Sequence, residues 1–198
     1  MTDIPNIPLM NDVETSLLKK WLVPNGNVIE FGCGGSTKYL LENGTNNLFS
    51  IEGDHDFANR ILADIYLKEK NNTGRLKLIV PDIGNVKKNY YSFPEGIPNK
   101  KWINYYTECW KYIEAKTISF VLIDGRFRLA TSIQCLLHCR MSTVIYIHDF
   151  WNRIHYHDIL KFTDIYDSAD RSVILKRKKR INYEKLNDIL LSCLFDPR

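Results

Sequence analysis

Apolar residues along this chain recur in two rhythms that alternate from one end to the other. Val13, Leu17, Leu18, Trp21 and Leu22 keep the spacing of one helix face, and Pro24-Asn25-Gly26 ends that helix. Val28 to Phe31 predicts a strand, followed by a glycine turn and a helix from Ser36. Leu48 to Glu52 predicts a second strand, and Phe57, Ala58, Ile61, Leu62 and Ile65 predict a helix after it. Leu76 to Val80 predicts a third strand, stopped by Pro81. Ile118–Ile123 and Thr143–Ile147 are unbroken apolar and β-branched runs, as central parallel strands covered on both faces require. Between them Leu129, Ala130, Ile133, Leu136 and Leu137 form a helical stripe. After Asp149 a short helix leads to strands near Phe162–Asp167 and Ser172–Lys176, too close in sequence for a crossover, so an antiparallel pair closes the sheet. Leu186, Ile189, Leu190, Cys193 and Leu194 share a face of the final helix. Strands alternating with helices predict an α/β fold, mostly parallel, with right-handed crossovers and helices on both faces.

Composition narrows this picture. The chain has 198 residues, which fits one domain; 44% are hydrophobic and 25% charged, too apolar for a disordered chain. No apolar run reaches the roughly 18–20 residues of a membrane helix, and Met1-Thr2-Asp3-Ile4-Pro5 lacks the basic-then-apolar order of a secretory signal. Cys33, Cys109, Cys135, Cys139 and Cys193 are scattered, odd in number and form no Cys-x-x-Cys, so neither a disulfide nor a structural zinc is expected. That usage fits a reducing, cytoplasmic compartment. The net charge of +4 comes mainly from Lys176-Arg177-Lys178-Lys179-Arg180, which reads as a solvated strand end or turn; an anionic partner is the sharper alternative.

The chemistry concentrates in Glu30-Phe31-Gly32-Cys33-Gly34-Gly35-Ser36. Glycines directly after a first strand let backbone approach a ligand, and the helix behind them presents free N–H groups. Glu52 ends the second strand, 20 residues beyond Gly32, where a carboxylate accepts both hydroxyls of an adenosine ribose. A dinucleotide site would want a small residue three after Gly34, and Thr37 stands there. Glu30 would repel a pyrophosphate but suits the ammonium of a methionine moiety. The cofactor this favours is S-adenosylmethionine (SAM).

Glu30-x-Gly32-x-Gly34-Gly35-Ser36 resembles motif I of the class I SAM-dependent methyltransferases, and Ile51-Glu52 resembles their ribose-binding motif II. Val80-Pro81-Asp82-Ile83 fits the position that flanks the adenine, and Phe120-Val121-Leu122-Ile123-Asp124-Gly125-Arg126 resembles motif IV. The resemblance spans nearly the whole chain from Asn27 and implies a Rossmann-like seven-stranded sheet with an antiparallel last strand. It also implies cofactor contacts from Glu30, Gly32, Cys33, Gly34, Ser36, Glu52, Asp82, Ile83, Asp124 and Gly125. Ile123-Asp124-Gly125-Arg126-Phe127-Arg128 and Ile147-His148-Asp149-Phe150-Trp151-Asn152-Arg153 are similar to paired motifs of sugar and polysaccharide O-methyltransferases. That group includes plant glucuronoxylan methyltransferases and glycan-modifying enzymes of bacteria and large DNA viruses. The domain size fits the methyltransferase part of a multidomain viral glycan-synthesis enzyme, in which case the compartment is the host cytoplasm. Asn85-Val86-Lys87-Lys88 matches no motif of the family.

Asp124 and Asp149 each end a central parallel strand, so both are expected in the crevice where open α/β sheets bind ligands. A hydroxyl acceptor benefits from a base, which points to Asp149 and His148 with Asp124 beside them. Alternatively the two aspartates hold a divalent cation, as in the catechol-type O-methyltransferases they loosely resemble. That family has a further amide or acid after the second aspartate, where Phe150 stands here. The aromatic-rich insertion over residues 85–112, with Tyr90, Tyr91, Phe93, Trp102, Tyr105, Tyr106, Trp110 and Tyr112, is either an acceptor lid or packing. His138, His155 and His157 are lone histidines with ordinary surface or core roles. Two rival readings stand beside a carbohydrate acceptor. One is a nucleic-acid methyltransferase or binding module using residues 176–180, although the chain lacks the Asn/Asp-Pro-Pro-Tyr/Phe motif of amino-methylating enzymes. The other is a non-catalytic scaffold.

Overall fold

A computed structural model describes residues 4–88 and 91–198 and contains one seven-stranded sheet in the order β3-β2-β1-β4-β5-β7-β6. The strands are β1 (Asn27–Phe31), β2 (Asn47–Ile51), β3 (Leu76–Ile79), β4 (Ile118–Ile123), β5 (Val144–Ile147), β6 (Thr163–Ala169) and β7 (Ser172–Arg177). The pairings among β1 to β5 are all parallel. β7 pairs antiparallel with both β5 and β6, so β7 alone is reversed. The seven-stranded, Rossmann-like expectation therefore holds.

Alternation along the strands feeds two cores. Val28, Leu48, Phe120, Leu122, Tyr146 and Ile174 face α1 (Asp12–Trp21), α2 (Gly35–Glu42), α3 (His55–Ala63) and α4 (Ile65–Asn72). Ile29, Phe31, Ile51, Val121, Ile123 and Ile147 face α5 (Asn104–Thr107), α6 (Arg128–His138) and α7 (Tyr183–Cys193). Asn11 starts α1 by a reciprocal capping box: its side chain accepts from the Glu14 N–H, and the Glu14 carboxylate accepts from the Asn11 N–H.

Two expectations change. The single helix read over Phe57–Ile65 is two, because Asp64 ends α3 and its carboxylate caps α4 at the Leu67 N–H. Ile65 consequently starts a new helix with its side chain 88% exposed rather than on the buried stripe. The second concerns the aromatic insertion, where Trp102, Tyr105 and Tyr106 are core residues, packed on the Phe127 ring at centroid distances of 5.6–6.0 Å. Their 3,4 spacing gives one buried face. Tyr91 is 79% exposed, and Tyr90 lies outside the described residues. No helix among those described is long and apolar enough to cross a membrane.

Candidate functional site

The ends of β1, β2 and β4 form a cleft of about 460 Å³. Its floor is two interlocked backbones. Gly32, at φ +91°, donates its N–H to the Ile51 carbonyl at 2.9 Å. A Cβ on Gly32 would stand 2.7 Å from the Cα of Gly125, and one on Gly125 would stand 1.9 Å from the Tyr105 hydroxyl. Only glycine at both positions allows the loops after β1 and β4 to meet this closely. The third glycine, Gly35, lies beneath the Ile7 carbonyl, so the segment before α1 straps the start of α2.

Of the residues anticipated from sequence, Gly32, Cys33, Gly34, Ser36, Glu52, Asp124 and Gly125 line the cleft. Asp54, Phe57, Arg60, Tyr91, Ser92, Tyr105 and Arg126 join them. Glu52 is buried; its carboxylate accepts from the Asp54 N–H at 2.8 Å, from the Ser92 hydroxyl, and from the Cys33 thiol at 3.4 Å. Burial raises its pKa, against those hydrogen bonds. The Ser92 hydroxyl thus sits on the very carboxylate read as the ribose acceptor. Ser92 and Tyr91 are both left-handed, at φ 58° and 48°, a conformation that strains residues other than glycine.

Glu30 stands elsewhere, beneath the glycine loop. It is fully buried and accepts from Ser36, from Thr37 at 2.8 Å and from Ser50 at 2.7 Å. Burial pushes its pKa up to about 7, although the three hydroxyls pull the other way. In this position it fixes the loop from behind. Asp82 and Ile83 also lie off the cleft lining. Asp82 is exposed and paired with Lys101 at 2.7 Å, whose hydrogen bond lowers the Asp82 pKa. Ile83 is buried against Gly53.

The strand-end acids belong to a network. Asp124 faces the cleft, and its Oδ1 is 2.8 Å from Nδ1 of His148 and 3.1 Å from Nη2 of Arg128. Burial alone would raise the Asp124 pKa, but the bond to His148 and the charge of Arg128 hold it below the usual value. Burial works against the His148 imidazolium, yet Asp124, Asp149 and Glu14 together raise its pKa. Nε2 of His148 points at Glu14, 3.4 Å away, and at Asp149, 3.9 Å away. Asp149 lies behind the cleft wall in the left-handed region at φ 53°. Its oxygens accept from Arg171 at 2.6 Å and Arg153 at 3.0 Å.

A divalent cation does not fit this pair. Arg128 stands against both carboxylates, 3.1 Å from Asp124 and 4.0 Å from Asp149, and Arg153, Arg171 and the His148 ring hold the other Asp149 contacts. Sequence reasoning missed Glu14, Arg128 and Ser92. Glu14 shows only the capping-box spacing after Asn11, and Arg128 only the i,i+4 distance from Asp124. Ser92 carries no signal of its own.

No protein-family model matches the chain, and no curated protein matches it. Solved structures do. A methyltransferase-like protein from Silicibacter pomeroyi superposes over 100% of both chains, with a TM-score of 0.81 and 20% identity. An O-methyltransferase from Bacillus cereus in complex with S-adenosylhomocysteine matches over 87% of this chain and 85% of its own, with a TM-score of 0.55 and 12% identity. An RNA methyltransferase from Salinibacter ruber, also with S-adenosylhomocysteine, covers 89% of this chain and 97% of its own, with a TM-score of 0.53 and 11% identity. The chain has the Rossmann-like methyltransferase fold.

Proposed function

We propose that the protein is a SAM-dependent O-methyltransferase acting on a hydroxyl of a carbohydrate. The observation that carries this reading is the convergence of Glu52, the interlocked glycine loops and Asp124 on one cleft at the ends of β1, β2 and β4. The cofactor would rest on the Gly32–Ser36 loop with its ribose hydroxyls on Glu52. Ser92 would have to give up its own bond to that carboxylate. SAM supplies an electrophilic methyl on a sulfonium. The protein must position the acceptor oxygen and receive its proton.

Asp124 is the member of the strand-end network that lines the cleft, so we assign it the proton. His148 and Asp149 act from behind it: His148 orients Asp124 through Nδ1, and Asp149 anchors Arg153 and Arg171. Phe57 and Tyr91 rings with the Arg60 and Arg126 guanidinium groups at the same cleft suit a hydroxyl-rich acceptor. Together with the sequence resemblance, this supports carbohydrate over nucleic acid. The basic run 176–180 also weighs against nucleic acid at this cleft, because β7 is reversed and ends at the opposite edge of the sheet.

Two variants and one screen test the proposal. Glu52→Ala should weaken SAM binding by roughly 1.5–3 kcal/mol, the scale of hydrogen bonds to a charged group. Asp124→Asn should bind SAM normally and lose about 10²-fold or more in kcat. Turnover of labelled SAM on nucleotide sugars, glycans and RNA identifies the acceptor class. Methylation of RNA alone, or full turnover by Asp124→Asn, would overturn the assignment.

A further inference from the structure

Arg128 has a larger part than the sequence pattern gives it. The side chain is 6% exposed, and each of its nitrogens points at oxygen. Nε donates to the Gly125 carbonyl at 2.9 Å; Nη2 donates to the Asp124 carbonyl at 2.9 Å and to Oδ1 of Asp124 at 3.1 Å. Nη1 donates to the His148 carbonyl and stands 4.0 Å from Oδ2 of Asp149. Carbonyl and carboxylate oxygens from the ends of both β4 and β5 therefore converge on one buried cation. An all-oxygen set with two carboxylates is what a hard divalent ion such as Mg²⁺ or Mn²⁺ takes. The guanidinium already fills it, and its planar fork meets that geometry with five donors.

We infer that Arg128 is a resident cation that replaces a divalent metal between the ends of β4 and β5, and that it is the positioning residue for Asp124. The surrounding charges agree. Glu14, Asp124 and Asp149 face His148 and three arginines, of which Arg153 and Arg171 are 33% and 41% exposed on their side chains. Arg128 is the buried member of the three arginines, shielded from salt, and its loss would leave Asp124 with His148 as its one remaining charged partner. A consequence follows for the acceptor. With no metal to chelate, it needs a single hydroxyl near Asp124 and no neighbouring hydroxyl or carbonyl as second ligand. This consequence rests on the methyltransferase reading; the cation substitution itself does not.

The test is made on the full chain without acceptor. Mn²⁺ titration followed by electron paramagnetic resonance should show no stoichiometric site in the wild type. Arg128→Ala should open one, binding Mn²⁺ roughly 10-fold or more tighter than wild type, as the vacated Asp124 carboxylate and the Gly125, Asp124 and His148 carbonyls imply, and Asp124→Asn added to that variant should abolish it. Methylguanidinium added to Arg128→Ala should raise its melting temperature and displace the Mn²⁺. Arg128→Lys, which keeps the charge, should exclude Mn²⁺ as the wild type does, and it decides the matter if Arg128→Ala does not fold. Stoichiometric Mn²⁺ binding by the wild type or by Arg128→Lys that disappears with Asp124→Asn would overturn the inference. So would a folded Arg128→Ala that binds no Mn²⁺ and ignores methylguanidinium. Failure of SAM turnover in every acceptor screen would sink the methyltransferase reading and leave these measurements standing.

Discussion

Glu30 gives the sharpest residue-scale consequence, because an acid with three hydroxyl donors is still held near a pKa of 7 by burial. Its ordinary value is 4.5, so between those values the folded protein binds a proton that the unfolded chain has released. Stability contributed by Glu30 is therefore full below about pH 4.5 and lost as pH rises through 7. Glu30→Gln keeps the shape of the neutral acid and cannot ionise. Its stability relative to wild type should rise by roughly 2–4 kcal/mol between pH 5 and pH 8, the linkage value of a shift of this size. Denaturant curves at four pH values check this, and parallel pH dependence of the two proteins would show that Glu30 does not titrate there. His148 acts in the same direction, since its raised pKa means its ion pair with Asp124 is lost as pH climbs past its folded value. Comparison with Glu30→Gln separates the two.

At the scale of elements, the site depends on loops held to each other by backbone contact. A Cβ on Gly125 would meet both the Tyr105 hydroxyl, at 1.9 Å, and the Gly32 nitrogen, at 2.9 Å. That hydroxyl also accepts from the Arg126 N–H at 3.3 Å. Gly125→Ala must push Tyr105 out or part the loops after β1 and β4. Overpacking of this kind costs typically 1–3 kcal/mol, and SAM affinity should fall with it. Tyr105→Phe in the Gly125→Ala background removes the clashing oxygen and should restore part of both losses. A Gly125→Ala protein with unchanged stability and SAM affinity would mean the loops do not interlock as described. The β-strands were legible to within a residue or two because unbroken apolar runs have few alternatives. The split at Asp64 was not legible, because an apolar stripe says nothing about which acid will turn to cap a backbone N–H. Trp102, Tyr105 and Tyr106 were left between lid and packing. Aromatic rings serve either role, and only their burial against Phe127 separates them.

For the whole molecule, strand direction separates two charged regions. Lys176 to Arg180 follow β7, whose reversal carries them away from the ends of β1, β2 and β4. They line a broad surface with Asp164 and Tyr166, where Lys176 lies over the Tyr166 ring at 4.5 Å. Lys179→Glu with Arg180→Glu should leave SAM affinity and folding stability within about 0.5 kcal/mol of wild type, as for surface changes remote from a site. Any nucleic-acid binding that this pair abolishes, with a salt dependence that drops accordingly, belongs to that far edge and not to the cleft. A loss of SAM affinity would show the two regions to be coupled.

The amino-acid sequence by itself determined the order of strands and helices and the glycine turn after β1. It also placed Glu52, Asp124 and Asp149 at strand ends. These are local properties: apolar period, turn chemistry and the rule that parallel strands deliver their carboxyl ends to one edge. Tertiary structure decided which of those acids line the cleft. Glu30 and Asp149 share with Glu52 and Asp124 a strand-end position and a carboxyl group. They differ in what arrives from distant parts of the chain: three hydroxyls beneath a loop for Glu30, and Arg153 and Arg171 for Asp149. Glu14 joins His148 across 134 residues of sequence. Partners at that separation leave no periodic trace, because burial and charge compensation are set by packing among elements and not by spacing within one.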